Sequence, residues 1–367
     1  MLAQPTSYSY KLDWAQACER WNAFWNMAAT DRPCLSVTAP RPGVATAQLP
    51  EVASVQDKWM LPEYALSRTI NYLDETYLGG EAVPRAPGIM AGSALGCGDD
   101  GVAFGAGGIS IRPSMTSIGG PLNWHPGPRD PWRPKVDAIV HRLLDEAPGR
   151  YIVGVPNGMF RHIDLLNMLR GNTEIMLDMA LQPQQCRARL LELRDLTWEN
   201  ERHYADLIGV RQGDVGAISW TGVWSKERFK CSQADAAACI SPEMFAELVL
   251  PELDAEGERF GCIHYHTCGY WQHLEACLTR PYIKVIQYSP GPKESPEESS
   301  RLPFYRRVQQ AGRCLDLAVG LDQAEYLIRH LRPEGLHLAV TVGTVAAAEE
   351  LLENAVKWCG TDVHRSP

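Results

Sequence analysis

The sequence predicts an α/β fold and, within that class, a (β/α)8 TIM barrel. Strand-like and helical patterns alternate from about residue 135 onward at spacings of about 25 to 40 residues, which is typical of parallel strands joined by helical crossovers. About eight stretches have the composition of buried strands, the number that a closed barrel requires. A doubly wound open sheet is the second alternative, but no Gly-x-Gly-x-x-Gly run follows a strand to support it.

The whole chain, 1–367, is predicted to form one barrel domain. Its first 134 residues contribute an amino-terminal helical extension, the first strands and a long glycine- and proline-rich excursion over 79–134. This excursion has little helical period, so we expect it to cover or build one side of a pocket.

Each predicted element follows from a local pattern. Apolar residues at helical spacing, with Pro62 and Pro242 suited to first helical turns and Gly171 to a helix end, predict helices. The helices are expected at 10–30, 62–78, 135–147, 162–171, 174–181, 183–206, from 241, at 271–279, 323–331 and 345–358. Apolar, β-branched runs predict strands at 34–39, 151–157, 217–221, 262–268, 283–288, 315–319 and 336–341. Residues 41–60 and 225–235 are interpreted as loops.

The composition excludes several classes of function. The chain is 45% hydrophobic and 22% charged, and its net charge of −9 argues against nucleic acid as the main partner. The amino terminus has no signal-peptide pattern, and no apolar run approaches the ~20 residues that cross a bilayer. Eleven cysteines without a secretory signal suggest reduced thiols. We therefore expect a cytoplasmic protein with no membrane partner; the sequence allows a homodimer.

The stretch Cys262–Gly269 reads as a short strand that ends at a glycine. Because side chains alternate in direction along a strand, His264, His266 and Cys268 are predicted to point to one side. Neutral imidazole and thiolate suit Zn²⁺, so His266 and Cys268 are the predicted metal ligands. His264 lies deeper along the strand, either as a functional group or as a hydrogen-bonded core histidine.

A metal held by these two side chains requires a third protein ligand. Cys231 is the first candidate, Asp235 the second and Cys97 in the excursion the third. In a barrel the reactive groups lie at the carboxyl ends of strands, so Asp235, His264 and Tyr288 are the predicted catalytic residues. The residues predicted to line the pocket and bind substrate or cofactor are Trp220, Trp224, Trp271 and Asn157.

Four stretches together resemble a known family. They are YIVGVPNGMFRHIDLLNMLRG (151–171), SPEMFAELVLPEL (241–253), HYHTCG (264–269) and LHLAVTVGTVAAAEELLENAVKW (336–358). This pattern resembles the uroporphyrinogen decarboxylase superfamily, and the opening stretch 20–41 is similar to a branch of it. The resemblance covers most of the chain and implies the barrel fold more specifically than it implies a reaction.

The resemblance implies one of two chemistries, which are cofactor-free decarboxylation of a tetrapyrrole and zinc-dependent methyl or alkyl transfer to a thiol. In the methyltransferases, which transfer a methyl group from a corrinoid protein to coenzyme M, a His-x-Cys at a strand end binds zinc. A further cysteine near the last strand completes that set. This sequence keeps His266-Thr-Cys268 but has Thr341-Val-Gly343 where the last cysteine is expected. The arginine and aspartate motifs of the decarboxylase have no match.

Three hypotheses follow. The first is a zinc-dependent transferase that activates a small-molecule thiol, with a corrinoid protein as a candidate methyl donor. The second is a metal-free decarboxylase or lyase for a small carboxylated substrate, with Arg161, Arg170, His162 and Asp235 as binding and proton-transfer groups. The third is a corrinoid- or metal-binding partner without catalysis.

Overall fold

A computed structural model describes residues 5–157, 162–213, 215–269, 271–291, 294–295 and 297–359. The helices in these residues are α1 (Trp14–Trp25), α2 (Val55–Met60), α3 (Pro62–Glu75), α4 (Arg133–Glu146), α5 (His162–Arg170), α6 (Asn172–Leu181), α7 (Pro183–Gln212), α8 (Pro242–Leu248), α9 (Leu250–Phe260), α10 (Leu274–Leu278), α11 (Leu302–Gln310), α12 (Leu321–His330) and α13 (Val345–Cys359). Short 3-10 helices occur at Met90–Ala94, Asp235–Cys239, Trp271–His273 and Glu298–Arg301. None of the helices in the described ranges is long and apolar enough to span a bilayer.

The strands in the same residues are β1 (Cys34–Pro40), β2 (Thr76–Gly80), β3 (Val102–Gly105), β4 (Gly108–Ile111), β5 (Ala217–Ile218), β6 (Trp224–Ser225), β7 (Lys230–Gln233), β8 (Ile263–Cys268), β9 (Ile283–Ser289), β10 (Cys314–Val319) and β11 (Leu336–Thr341). Seven of them form a central sheet in the order β2-β1-β11-β10-β9-β8-β7. Every neighbouring pair is parallel except β1 and β2. The predicted α/β class is therefore confirmed.

The strand order of the central sheet does not demonstrate a closed eight-stranded barrel. The first strand, β1, pairs with the last, β11, which is the pairing that a barrel requires. Within the described residues, however, β2 and β7 are the two edges of the sheet, and β5 and β6 form a separate antiparallel pair.

Several predicted elements differ from those observed. The strand predicted over 151–157 contributes only a parallel bridge between Arg85 and Ile152, because Gly154 and Pro156 interrupt it. The loop predicted over 225–235 contains β7, whose sequence KCSQ is too polar to be read as a strand and which pairs along the edge of β8. The loop predicted over 41–60 contains α2, which is capped by Ser54.

The side chains of β8 divide between two environments, as the alternation of a strand requires. Ile263 and Tyr265 pack into the main hydrophobic cluster with residues of α8, α9 and α10. His264 and His266 are equally buried but contact polar groups on the neighbouring strands. The sheet therefore presents imidazoles on the face opposite its helix-packed core.

A buried ion pair between Arg32 and Glu81 stabilises the start of β1. Both terminal nitrogens of Arg32 donate to the Glu81 carboxylate, at 2.7 and 2.9 Å, and the backbone N–H of Leu35 donates to the same carboxylate at 2.7 Å. We expect Glu81→Ala to lower the free energy of unfolding by about 3–5 kcal/mol, because it leaves a buried guanidinium unpaired. Denaturant unfolding followed by circular dichroism measures this loss.

The matched control for that experiment is Asp31→Ala. Asp31 is the exposed partner of Arg20, at 2.6 Å, and an exposed pair contributes about 1 kcal/mol or less. Equal losses in the two variants would contradict the structural role of Glu81.

Candidate metal centre and adjoining cavity

The candidate site lies where three parallel strands end. In the register of β7, β8 and β9, Gln233 lies opposite His266, and His266 lies opposite Gln287. Because the carboxyl ends of parallel strands meet at one edge of a sheet, side chains distant in sequence converge there.

Three potential metal ligands converge at this edge. The Nε2 atom of His266 lies 3.1 Å from Sγ of Cys268 and 3.3 Å from a carboxylate oxygen of Asp235. The ligand atoms of these three residues all lie within 4.8 Å of one another, and within the described part of the chain they form the one such group. His266 is buried, whereas the Asp235 side chain is 48% exposed, so the group opens toward solvent on the side of Asp235.

Gln287 fixes the orientation of the His266 ring. Nδ1 of His266 donates to Oε1 of Gln287, so the neutral imidazole keeps its lone pair on Nε2, which faces Cys268 and Asp235. Burial by itself lowers the pKa of His266, but Asp235, Cys268 and Gln287 outweigh it and raise the pKa to about 10. These surroundings favour a positive charge at Nε2, which either a proton or a metal cation supplies.

A buried aspartate on α5 holds the segment that carries Asp235. One carboxylate oxygen of Asp164 accepts the backbone N–H of Asp235, and the other that of Ala236, both at 2.9 Å. Gln233 donates to Asp164 at 3.2 Å and to Asp235 at 3.3 Å. Burial raises the pKa of Asp164, and the two backbone donors oppose this effect. Asp164 is thus a positioning residue for the third ligand.

A second polar network lies deeper on the same face of the sheet. Asp316 on β10 accepts from Nε2 of His264 at 2.9 Å, from Nδ1 of His337 at 2.7 Å and from Thr221 at 2.8 Å. Sγ of Cys231 lies 3.4 Å from Nδ1 of His264. His264 therefore connects the Cys231 sulfur to a carboxylate that is almost fully buried.

A cavity of about 300 Å³ adjoins the candidate metal centre. Two of its lining residues also contact the centre. The Trp220 ring lies edge-on to the His266 ring, with centroids 5.1 Å apart, and Gln233 donates to Asp235. Cys231 and Asn157 line the cavity as well. The cavity can therefore hold a small ligand next to His266.

The structure reverses the order of the first two candidates for the third metal ligand. It brings Asp235 to the His266–Cys268 pair and places Cys231 beside His264 instead. The register explains the difference, because Cys231 lies opposite His264, two residues before the position opposite His266. Cys97, the third candidate, is not part of this group, and its sulfur contacts the carbonyls of Ser93 and Leu95 within the excursion.

Two other predicted site residues point away from this edge. Tyr288 packs against Phe304 and Tyr305 of α11, because it lies one residue beyond Gln287 and so on the other face of β9. Trp224 is fully buried, donates to the carbonyl of Val215 and lies edge-on to Trp14. Their assignments as catalytic and cofactor-binding residues are therefore corrected. The side chain of Trp271 lies outside the described residues.

Of the residues expected to serve a decarboxylase, the described residues Arg170 and His162 have separate partners, and neither contacts Asp235 in an observed hydrogen bond or ion pair. Arg170 pairs with Asp178 at 2.7 Å. His162 is buried against Ser232 at 3.0 Å and Glu256 at 3.4 Å. Arg161 lies outside the described residues.

Sequence reasoning missed the roles of three polar residues, Asp316, Asp164 and Gln287. The apolar strand that contains Asp316 carries a weak signal, since a lone acid in a buried strand requires a partner. Asp164 and Gln287 carry no comparable local signal.

The fold and the site together define an α/β protein with a candidate metal centre at the ends of parallel strands. No family model matches the sequence, and no curated protein matches it. Among solved structures, the chain is similar to a methyltransferase from Methanosarcina mazei, with a TM-score of 0.54 and 14% identity. The similarity covers 93% of this chain and 98% of that one. At this identity the likeness shows a shared fold, in agreement with the α/β class predicted from the sequence.

Proposed function

We propose that the protein is a zinc-dependent methyl or alkyl transferase whose acceptor is a thiol. The observation that carries the proposal is the convergence of His266, Cys268 and Asp235 within 4.8 Å at the strand ends. The fold shared with a methyltransferase supports it.

The donor set fits zinc. One imidazole nitrogen, one thiolate and one carboxylate are ligands that Zn²⁺ accepts, and a catalytic zinc site commonly has three protein ligands and one open position. Asp235 would take the role of the cysteine expected near the last strand. At that position Thr341 instead contacts the hydroxyl of Thr38 at 2.9 Å.

The remaining residues orient and shield this set. A bound Zn²⁺ would lower the pKa of a thiol substrate and so supply a thiolate at neutral pH. Gln287 keeps Nε2 of His266 directed toward Cys268 and Asp235, and Asp164 holds the backbone of Asp235. The Trp220 ring shields one edge of the imidazole from water.

The proposal also includes the closed barrel fold and the source of the methyl group. A (β/α)8 barrel of the uroporphyrinogen decarboxylase type is supported by the consecutive parallel order from β11 to β7 and by the pairing of β1 with β11. A corrinoid protein is the proposed methyl donor, on the resemblance of the His266-Thr-Cys268 strand end to those methyltransferases.

Metal analysis of protein purified without chelator tests the proposal. We expect about one zinc per chain, and methyl transfer from a methylated corrinoid to a thiol that stops on chelation and resumes with Zn²⁺. Less than about a tenth of an equivalent of zinc, with transfer intact, would overturn the proposal.

A further prediction concerns Asp164. We expect Asp164→Asn to weaken zinc affinity about 10- to 100-fold, because residues that orient metal ligands have effects of this size. Competition with a chromogenic chelator measures the affinity. Asp178→Asn is the matched control, since Asp178 is a similarly buried acid that pairs with Arg170. An unchanged affinity in Asp164→Asn would remove this residue from the site.

A further inference from the structure

We propose that Arg85 binds the acid group of the substrate, and that the 300 Å³ cavity accepts a small carboxylic acid. This inference deepens the proposed function by naming the substrate class. Its extension to an acid that also carries a thiol rests on that function.

The first observation is that Arg85 has no carboxylate partner among the residues that the structure describes. It lines the cavity, and its Nη1 donates to the carbonyls of Trp220 at 3.0 Å and Ser219 at 3.4 Å. No ion pair links it to an acid anywhere in the described ranges. By contrast, the buried arginines Arg32 and Arg301 both pair with glutamates.

The partial burial of Arg85 in the cavity wall strengthens this observation. The surrounding protein removes water from the Arg85 guanidinium and lowers its pKa, while more distant negative groups oppose this effect only in part. A partly desolvated cation without a counter-ion is less stable than a paired one, and a bound anion restores the missing pairing. The planar guanidinium also matches a carboxylate with two parallel hydrogen bonds.

The other charged side chains around the cavity have partners of opposite charge, so among the described residues the positive charge of Arg85 is the one left unbalanced. Lys230 and Glu201 also line it, but they contact each other as an ion pair. Asp316 lies within electrostatic range of Arg85, and two histidines already donate to its carboxylate. The cavity lining therefore has an excess positive charge that suits a monoanion.

The position of Arg85 relates the acid group to the candidate metal centre. The Trp220 carbonyl accepts from Arg85, and the Trp220 ring lies against His266. An acid held by Arg85 in this cavity therefore has its remaining atoms beside the Trp220 segment, which extends to His266. A short thiol acid could occupy both positions.

Titration calorimetry with butyrate and 1-butanol tests the proposal on the full chain. The two probes match in length and differ in charge, and neither carries a thiol. We expect butyrate to bind about 10-fold or more tightly than 1-butanol, since a charge-assisted hydrogen-bond pair has this effect. Arg85→Gln should weaken butyrate binding about 10- to 100-fold and leave 1-butanol unaffected.

The matched control is Arg307→Gln, which removes an exposed arginine paired with Glu275 and should leave butyrate binding unchanged. If Arg85→Gln does not fold by circular dichroism, Arg85→Lys replaces it. A lysine keeps the charge but loses the paired geometry, so butyrate affinity should fall about 3-fold or more.

Equal binding of butyrate and 1-butanol to the native chain overturns the proposal, as does native butyrate affinity in the folded Arg85 variant. Butyrate binding requires no metal and no transfer. A zinc-free chain that binds butyrate through Arg85 would therefore refute the transferase and retain this site. A chain that binds zinc and transfers methyl groups, but binds butyrate and 1-butanol equally well, would retain the transferase and refute the Arg85 site.

Discussion

Cys268→Ser is expected to lower the zinc affinity of the protein at least about 100-fold and to abolish methyl transfer. The substitution exchanges a thiolate for a hydroxyl, which is a poor zinc ligand, and leaves only His266 and Asp235 in the group. Zinc content after dialysis against a weak chelator and the rate of thiol methylation measure the two effects.

The control is Cys239→Ser, which makes the same chemical change at an exposed cysteine four residues beyond Asp235. This variant should retain native zinc content and native activity. If both variants hold zinc equally well, the metal lies elsewhere, and the convergence of His266, Cys268 and Asp235 has another purpose.

Asp316→Asn is expected to give a large loss of stability, about 3–5 kcal/mol in the free energy of unfolding. Asp316 is almost fully buried and accepts from two histidines and a threonine. An asparagine removes the negative charge and leaves the two imidazoles without a counter-ion. Guanidinium unfolding of the two proteins at pH 6 measures the difference.

The pH dependence of this difference has a definite sign. Burial by itself raises the pKa of Asp316, but the donors His264 and His337 hold it well below its usual range. Its contribution to stability is therefore present above the unfolded pKa of about 3.9 and lost as the pH falls. Burial lowers the pKa of His264, but Cys231 and Asp316 outweigh it and raise the pKa to about 9. Its contribution is complete below about pH 6.5 and is lost as the pH rises through about 9.

The difference between native protein and Asp316→Asn should therefore be largest between about pH 4 and 6.5 and should shrink above pH 7. The control is Asp137→Asn, which removes the partner of His203 in a surface pair with side chains 25% and 39% exposed. That change should cost about 1 kcal/mol or less at every pH. A difference between native protein and Asp316→Asn that stays constant from about pH 6 to 9 would contradict the ionic description of the network.

Much of the fold follows from patterns within short segments. The strands 262–268, 283–288, 315–319 and 336–341 were predicted nearly at their observed bounds, because each is an apolar run between helical segments. Strand β7 and helix α2 were missed, since a short polar strand and a short helix carry weak periodic signals. Tertiary pairing and capping, rather than local composition, stabilise these two elements.

The sequence by itself determined the α/β class and the placing of His266 and Cys268 on one side of a strand, because the two-residue alternation of a strand is a local property. Only the tertiary structure decided that Asp235 joins them, that Gln287 orients His266, that Tyr288 and Trp224 face elsewhere, and that Arg85 lines the cavity. Those outcomes depend on the register between strands that are far apart in the chain or on packing across the sheet, and no local pattern encodes either.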